Sequence, residues 1–447
     1  MKLKYTFILL FLIAPWTLGK MVAQSNGSNS SYSRFGLGLL SDQANSYNRS
    51  MGGVGQALRS NSRINFLNPA SYSAVDSLTF LFDVGMSLQR SRMVQGSAHV
   101  GVSNTSFDFV TAAFRMRRHL GMTLGFKPYT RIGYSFSHEE NVGLDYSTGE
   151  QITSPSEYDG EGGLHEAFIG VGWEPFKGFS FGANIGVLWG NIKHSILTAY
   201  SQNSVLSTTD GNITTLYDAS IVTWRGDVGV QYQTVLNSMN RLTFGATVGI
   251  GHKINNDASY ISSTNGSTAD TLVAAKGFQL PMTYSFGLAW EHAERLLVAA
   301  DVHYEQWGKC TTPEFDKYAK TYAATTGTYK DRLRVNLGAE YVPGRYERPF
   351  RQRLNYRIGA FFSTPYLRIN GQNGPTEFGL SAGVGFPITN GWANMNYLNH
   401  YFPTYVNVGF QWTNRSAGAA GFVRENIVQL NIGLTFNERW FMKWKFK

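Results

Sequence analysis

Apolar and polar residues take turns along most of this chain. Val428, Leu430, Ile432, Leu434 and Phe436 alternate with Gln429, Asn431, Gly433 and Thr435. Leu242, Phe244, Ala246, Val248 and Ile250 alternate in the same way with Thr243, Gly245, Thr247 and Gly249. A strand shows successive side chains to opposite faces, so each run predicts a strand apolar on one side and polar on the other. Such runs occupy 78–88, 106–116, 120–136, 164–173, 179–189, 217–233, 240–251, 281–291, 295–305, 331–342, 353–363, 376–386, 404–412 and 426–436. They predict about fourteen strands.

The links between the runs also follow a pattern. Arg117-Arg118-His119, Glu174 to Gly178 and His292 to Glu294 are short, whereas 138–163, 198–216, 252–280 and 306–330 are long and polar. Short turns at one end and long loops at the other are the habit of transmembrane barrels, and an even count returns both ends to one side. The first residues complete the picture. Lys2 and Lys4 precede an apolar core from Phe7 to Ala14, and cleavage after Ala23 (or Gly19) makes residues 1–23 a secretory signal. That core is far shorter than the roughly 20 residues a helical span needs. The expected fold is therefore all-β: a transmembrane antiparallel barrel in a bacterial outer membrane, oily outside and polar within.

Composition agrees with an inside-out barrel. Hydrophobic residues make up 43% of the chain and mean hydropathy is -0.21, as a polar interior requires. Aromatics at 14% suit girdles at the membrane interfaces, and 48 glycines suit crowded strands. Without residues 1–23 the chain carries 36 bases against 30 acids, a formal charge of +6. These bases form no stripe, which argues against nucleic acid and fits anionic lipid headgroups. Cys310 is the only cysteine, so a disulfide framework is excluded.

Residues 24–76 lack clean alternation. A polar lead, 24–32, precedes a compact element containing Met51-Gly52-Gly53-Val54-Gly55-Gln56-Ala57 and, further on, Asn68-Pro69-Ala70. A barrel of this size is too wide for side chains alone to fill, so its lumen needs a plug or holds water. An ordinary periplasmic loop remains the other reading of this segment. In Gly125-Phe126-Lys127-Pro128, proline interrupts the third strand, where it cannot donate to the ladder. A bulge without an opening fits Pro128 as well as a gap does.

The glycines followed by Asn-Pro-Ala resemble the hatch of the long-chain fatty-acid transporter (FadL/TodX-like) family. Gln279-Leu280-Pro281, Asp301-Val302 with Trp307, and Tyr356-Arg357-Ile358-Gly359 agree with it. Ser33-Arg34-Phe35-Gly36 and Asn437-Glu438-Arg439-Trp440-Phe441 resemble Bacteroidota members of that group. The resemblance implies a lumenal hatch at 24–76, with Gly52, Gly53, Gly55, Asn68, Pro69 and Ala70 gating ligand. It also implies a lateral exit at Gly125 and Pro128. The implied activity is passive passage of hydrophobic small molecules such as long-chain fatty acids. Leu272, Val273 and Phe278 in the long loops would capture them, and membrane lipid and the ligand would be the partners.

Enzymatic chemistry is not expected. Gly178-Phe179-Ser180-Phe181-Gly182 fits G-x-S-x-G, but it opens a strand rather than a strand-to-helix elbow. The glycines at 52–55 lack the helix and strand frame of a dinucleotide site. Asp301, His303 and Glu305 share one strand face, in line rather than convergent, so they make a poor metal site. With Arg332, Arg334 and Arg357 they are expected to form a polar rail or ion-pair network on the lumen wall. No cofactor is implied. The barrel proper is expected over 77–436, with 437–447 as a tail or extra strand in which Trp440, Met442, Trp444 and Phe446 interleave with lysines. That tail favours a second function, a structural subunit of an outer-membrane secretion or assembly complex with protein partners, similar to type IX secretion components.

Overall fold

Fourteen antiparallel strands close on themselves in the computed structural model. It describes residues 29–77, 79–144, 151–199, 212–264, 267, 269–316, 318–344, 349–388, 404–418 and 421–439. The expected signal peptide and residues 440–447 lie outside the described residues. The wall runs β1 (Thr79–Gln95), β2 (Ala98–Arg117), β3 (Leu120–Pro128 and Thr130–Leu144), β4 (Gln151–Phe176), β5 (Phe179–Thr198), β6 (Ile213–Val235) and β7 (Asn240–Gly249). It continues with β8 (Thr283–His292), β9 (Leu296–Glu305), β10 (Arg332–Tyr341), β11 (Asn355–Ser363), β12 (Thr376–Pro387), β13 (Tyr405–Ser416) and β14 (Arg424–Arg439). Pairing of β1 with β14, from Thr79↔Arg439 to Val94↔Arg424, shuts the cylinder.

The alternation is resolved inside out. Ile358 is 66% exposed while its neighbour Arg357 is 2% exposed. Along β14, Val428 and Phe436 are exposed, whereas Asn431 and Thr435 are buried. Apolar atoms face outward because lipid, not water, surrounds the wall, and closure pairs the first strand with the last.

Several boundaries differ from those the pattern predicts. Much of the expected loop 138–163 is strand, since β3 continues to Leu144 and β4 starts at Gln151. Loops 252–280 and 306–330 contain hairpins, Ala258–Thr264 with Asp270–Ala274 and Thr312–Asp316 with Thr321–Thr325. These extensions lie beyond the apolar band, where no lipid enforces alternation. The end with short turns also carries two longer links, 342–354 and 388–404, so the short–long order is not strict. Asn437-Glu438-Arg439, the start of the expected tail or extra strand, continues β14 opposite Thr79 to Leu81. Among the described residues the wall thus reaches Arg439.

The third strand is broken. Both pieces of β3 pair with β4, but only the lower piece pairs with β2, beginning at Val110↔Phe126. Pro128 stands at the break and supplies no amide hydrogen. Beyond it, the free side of the upper piece takes Leu39 and Leu40, paired with Arg131 and Thr130. The adjoining β4 bends at Gly162 and Gly163, whose φ values of +119° and +129° suit glycine.

Outward-facing wall residues tolerate no charge. Leu337→Arg, on a side chain 54% exposed, should cost about 2–4 kcal/mol near the bilayer midplane. Denaturant-dependent folding into liposomes measures this directly.

Candidate functional site

The N-terminal segment, residues 29–77, packs against inward-facing residues of the wall. It starts at the long-loop end, where Ser30 N–H donates to Gly133 O and the Tyr32 hydroxyl bonds Val423 O. A helical turn, Ser46–Arg49, follows, with Asn45 Oδ1 accepting from Asn48 N–H at 2.9 Å as its cap. The segment then reaches the short-turn end near Arg59 and Arg63. It returns through a 3₁₀ helix, Pro69–Ala74, in which Asn68 is the cap and Pro69 fills the first position, where no amide hydrogen is needed.

Glycines on the wall make this contact possible. A Cβ at Gly245 would collide with Gln56, one at Gly359 with Met51 and Gly52, and one at Gly182 with Pro69. The small polar-phase residues of the strands are thus the floor on which the segment's backbone lies.

The residues singled out from the sequence fall at this contact. Gly52, at φ +69°, donates its N–H to Ser381 Oγ at 2.8 Å. Gly53 O accepts from Asn336 Nδ2 at 3.2 Å. The N–H groups of Gly55 and Gln56 converge on one oxygen of Asp301, at 2.6 and 2.9 Å. Asn68 is fully buried and donates to Gln56 O and Val230 O, and Ala70 N–H donates to its side chain. Gly125 lies against Phe168, so any side chain there would displace the ring.

The six polar wall residues divide among different partners rather than forming one rail. His303 bonds Ser285 Oγ at 2.8 Å and Asn336 at 3.2 Å, with no ion pair to its strand neighbours. Glu305 pairs with Arg332 at 3.3 Å, and Arg334 reaches across to Asp42 at 3.8 Å. Burial opposes charge on Asp42, yet Arg334 and Arg49 outweigh it and hold the carboxyl below its usual range. Arg357 pairs with Glu340 at 2.7 Å, and Glu340 also takes Arg63 of the N-terminal segment at 3.0 Å. Both guanidinium groups lie over the Tyr47 ring, at 4.2 and 4.4 Å.

Pattern reading missed most of the charged contacts that hold the segment. Arg49 meets Asp108 at 2.6 Å, both buried, and Arg59 meets Glu174 at 2.5 Å. Glu377 and Glu425 share Arg415, at 2.8 and 2.7 Å. The signal was present, since Asp108, Glu340, Glu377, Arg415 and Glu425 sit at polar-phase positions of their strands. The partners that lie in the irregular segment, Arg49 for Asp108, Arg63 for Glu340 and Ser30 for Glu425, carry no such periodic mark.

Asp108 also governs the wall break. Arg131, just past Pro128, donates to Asp108 at 3.0 Å, to Ser106 Oγ at 2.8 Å and to Phe107 O at 3.1 Å. A side chain thus spans the place where the β2–β3 ladder stops. Beneath it lies a cavity of about 110 Å³ whose lining includes Asp42, Arg49, Asp108, Arg131, Arg334 and Glu377. Larger cavities lie at the two ends, about 520 Å³ by Arg34 and Tyr322 and about 380 Å³ by Arg63 and Glu291. Phe278, expected as an exposed capture residue, is buried, and Leu272 packs beside it in the same apolar cluster; Val273 alone of the three is exposed. Ser180 of the G-x-S-x-G run is buried and accepts from Arg59 at 2.7 Å.

Glu340→Ala leaves Arg63 and Arg357 buried without their carboxylate, a change worth about 3–5 kcal/mol. The expected result is tryptic cleavage within residues 29–77 while the barrel still resists unfolding in cold detergent, as read on gels with and without heating.

Comparison with solved structures identifies the fold. A FadL homologue of Pseudomonas aeruginosa superposes with a TM-score of 0.61 at 10% identity, covering 90% of this chain and 100% of that one. The toluene transporter TodX of Pseudomonas putida gives 0.57 at 15%, over 90% and 99%. The toluene transporter TbuX of Ralstonia pickettii gives 0.55 at 14%, over 89% and 98%. These are transporter barrels rather than enzymes, and at such identities they share the architecture with this chain. No curated relative matches it in sequence. A family model does, over residues 3–447, and the chain belongs to the BamG family.

Proposed function

We propose that the protein is an outer-membrane barrel whose lumen is sealed by residues 24–76 and which serves as a structural subunit of an outer-membrane assembly. The observation that carries this reading is the charged space under the wall break. Greasy cargo leaving sideways at Pro128 would have to pass Arg49, Asp108 and Arg131, whose ion pairs at 2.6 and 3.0 Å would be stripped of water and of each other. In this reading Gly52, Gly53, Gly55, Asn68, Pro69 and Ala70 fix a permanent plug, and Asp301, Arg334 and Arg357 moor it.

The break at Pro128 favours a second reading, a channel for hydrophobic small molecules such as long-chain fatty acids. A gap between β2 and upper β3 would then be the exit, with Arg131 as its latch. Membrane lipid and a hydrophobic ligand would be the partners.

Extraction in mild detergent is expected to retain partner proteins in fixed stoichiometry, and liposomes bearing the purified barrel should take up fatty acid no faster than bare ones. Uptake that is faster, and that falls when Pro128→Val is introduced, would replace the subunit reading with the channel. Deleting residues 440–447 tests whether the tail docks the partner. The deletion spares 437–439, which belong to β14.

A further inference from the structure

The wall break leaves more than a gap. Upstream of Val110↔Phe126, β2 pairs with β1 on one side only, and among the described residues no strand pairs with the other side of residues 98–103. A closed barrel ordinarily has no such edge. Space is open around this one: a Cβ at Gly96 or Gly101 would meet nothing within 4 Å. Val100 is 58% exposed.

Natural proteins blunt a lone edge with charge, proline, a bulge or a covering loop. Residues 98–103, Ala-His-Val-Gly-Val-Ser, contain no Lys, Arg, Asp, Glu or Pro, and their two valines favour extended backbone. The opposite lip of the break is treated differently. Leu39 and Leu40 add to it as a short strand, and Ser30 bonds Gly133 O. The chain therefore covers one lip with its own backbone and leaves the other uncovered.

Facing of the side chains narrows the occupant. Ser103 and Gly101 stand opposite Arg90 and Arg92, while Val102 and Val100 stand opposite Ser91 and Met93. Met86 and Leu88, four and two positions before Arg90, are exposed on the lipid side. Ser103 and Gly101 continue that outer row, so the valines lie on the inner row of this extension.

We propose that residues 98–103 of β2 receive an extended strand from a partner protein of the assembly, adding to the sheet through backbone hydrogen bonds. The incoming strand has apolar side chains at alternate positions, packing against Val100 and Val102, and polar ones beside Gly101 and Ser103. Backbone pairing supplies affinity and the alternate side chains supply selectivity. This deepens the subunit reading and rests on it.

The test uses the full-length protein in its own membrane, with a benzophenone side chain placed in turn at residues 99, 100, 102 and 103. The expected products join one partner. Their attachment points should move along one segment of that partner, residue by residue, in a single direction. Val100→Lys combined with Ser103→Lys should lower the yield at least ten-fold, while the heat-modifiable gel shift shows the barrel intact. Absence of products, or products scattered over unrelated segments, while a stoichiometric partner still co-purifies, overturns the edge and spares the subunit reading. Products with a second copy of this chain overturn the partner in favour of self-association. Failure to retain any stoichiometric partner overturns the subunit reading and this inference with it.

Discussion

A polypeptide in hydrocarbon must satisfy every backbone N–H and C=O within itself. That constraint bends fourteen strands into a cylinder and puts leucine and phenylalanine outside with asparagine and arginine within. The β1–β14 seam, sixteen residue pairs long from Thr79↔Arg439 to Val94↔Arg424, is its direct expression. The lapse beside Pro128 is covered on one lip by Leu39 and Leu40 and spanned by Arg131.

Closure creates a second problem. A wall whose inner face is polar, and too wide to fill itself, must be matched by something equally polar or left wet. The N-terminal segment answers with backbone laid on wall glycines and with arginines set against strand carboxylates. Such pairs lose hydration on burial, so they add less to stability than their distances suggest. What they add is register: Arg63 fits between Glu340 and the Tyr47 ring in one position of the segment.

The wall was legible because lipid imposes period two on each strand, as Val428 to Phe436 shows. Where lipid stops, so does legibility. Residues 151–163 extend β4 without the clean apolar alternation that marks Leu164 to Trp173, and they read as loop. The interior segment lacks a period altogether. Its glycines and Asn68-Pro69-Ala70 stood out through residue type, whereas Arg49, Arg59 and Arg63 did not, because a charge in irregular sequence looks like solvent-facing polarity. Asp301, His303 and Glu305 were placed on one face from spacing alone. Their separate partners, in Gly55, Ser285 and Arg332, depend on elements far away in the chain.

The seam and the segment have a consequence for how the molecule is made. Ser30 bonds Glu425 and Arg49 bonds Asn431, both on the last strand, so the first-synthesised part is clasped by the last. A segment that sets a helical turn and a 3₁₀ helix among charged wall side chains gains its contacts to the last strand only once that strand is in place. The last strand and the N-terminal segment therefore lock one another, and the two ends of the described chain reach their finished contacts together.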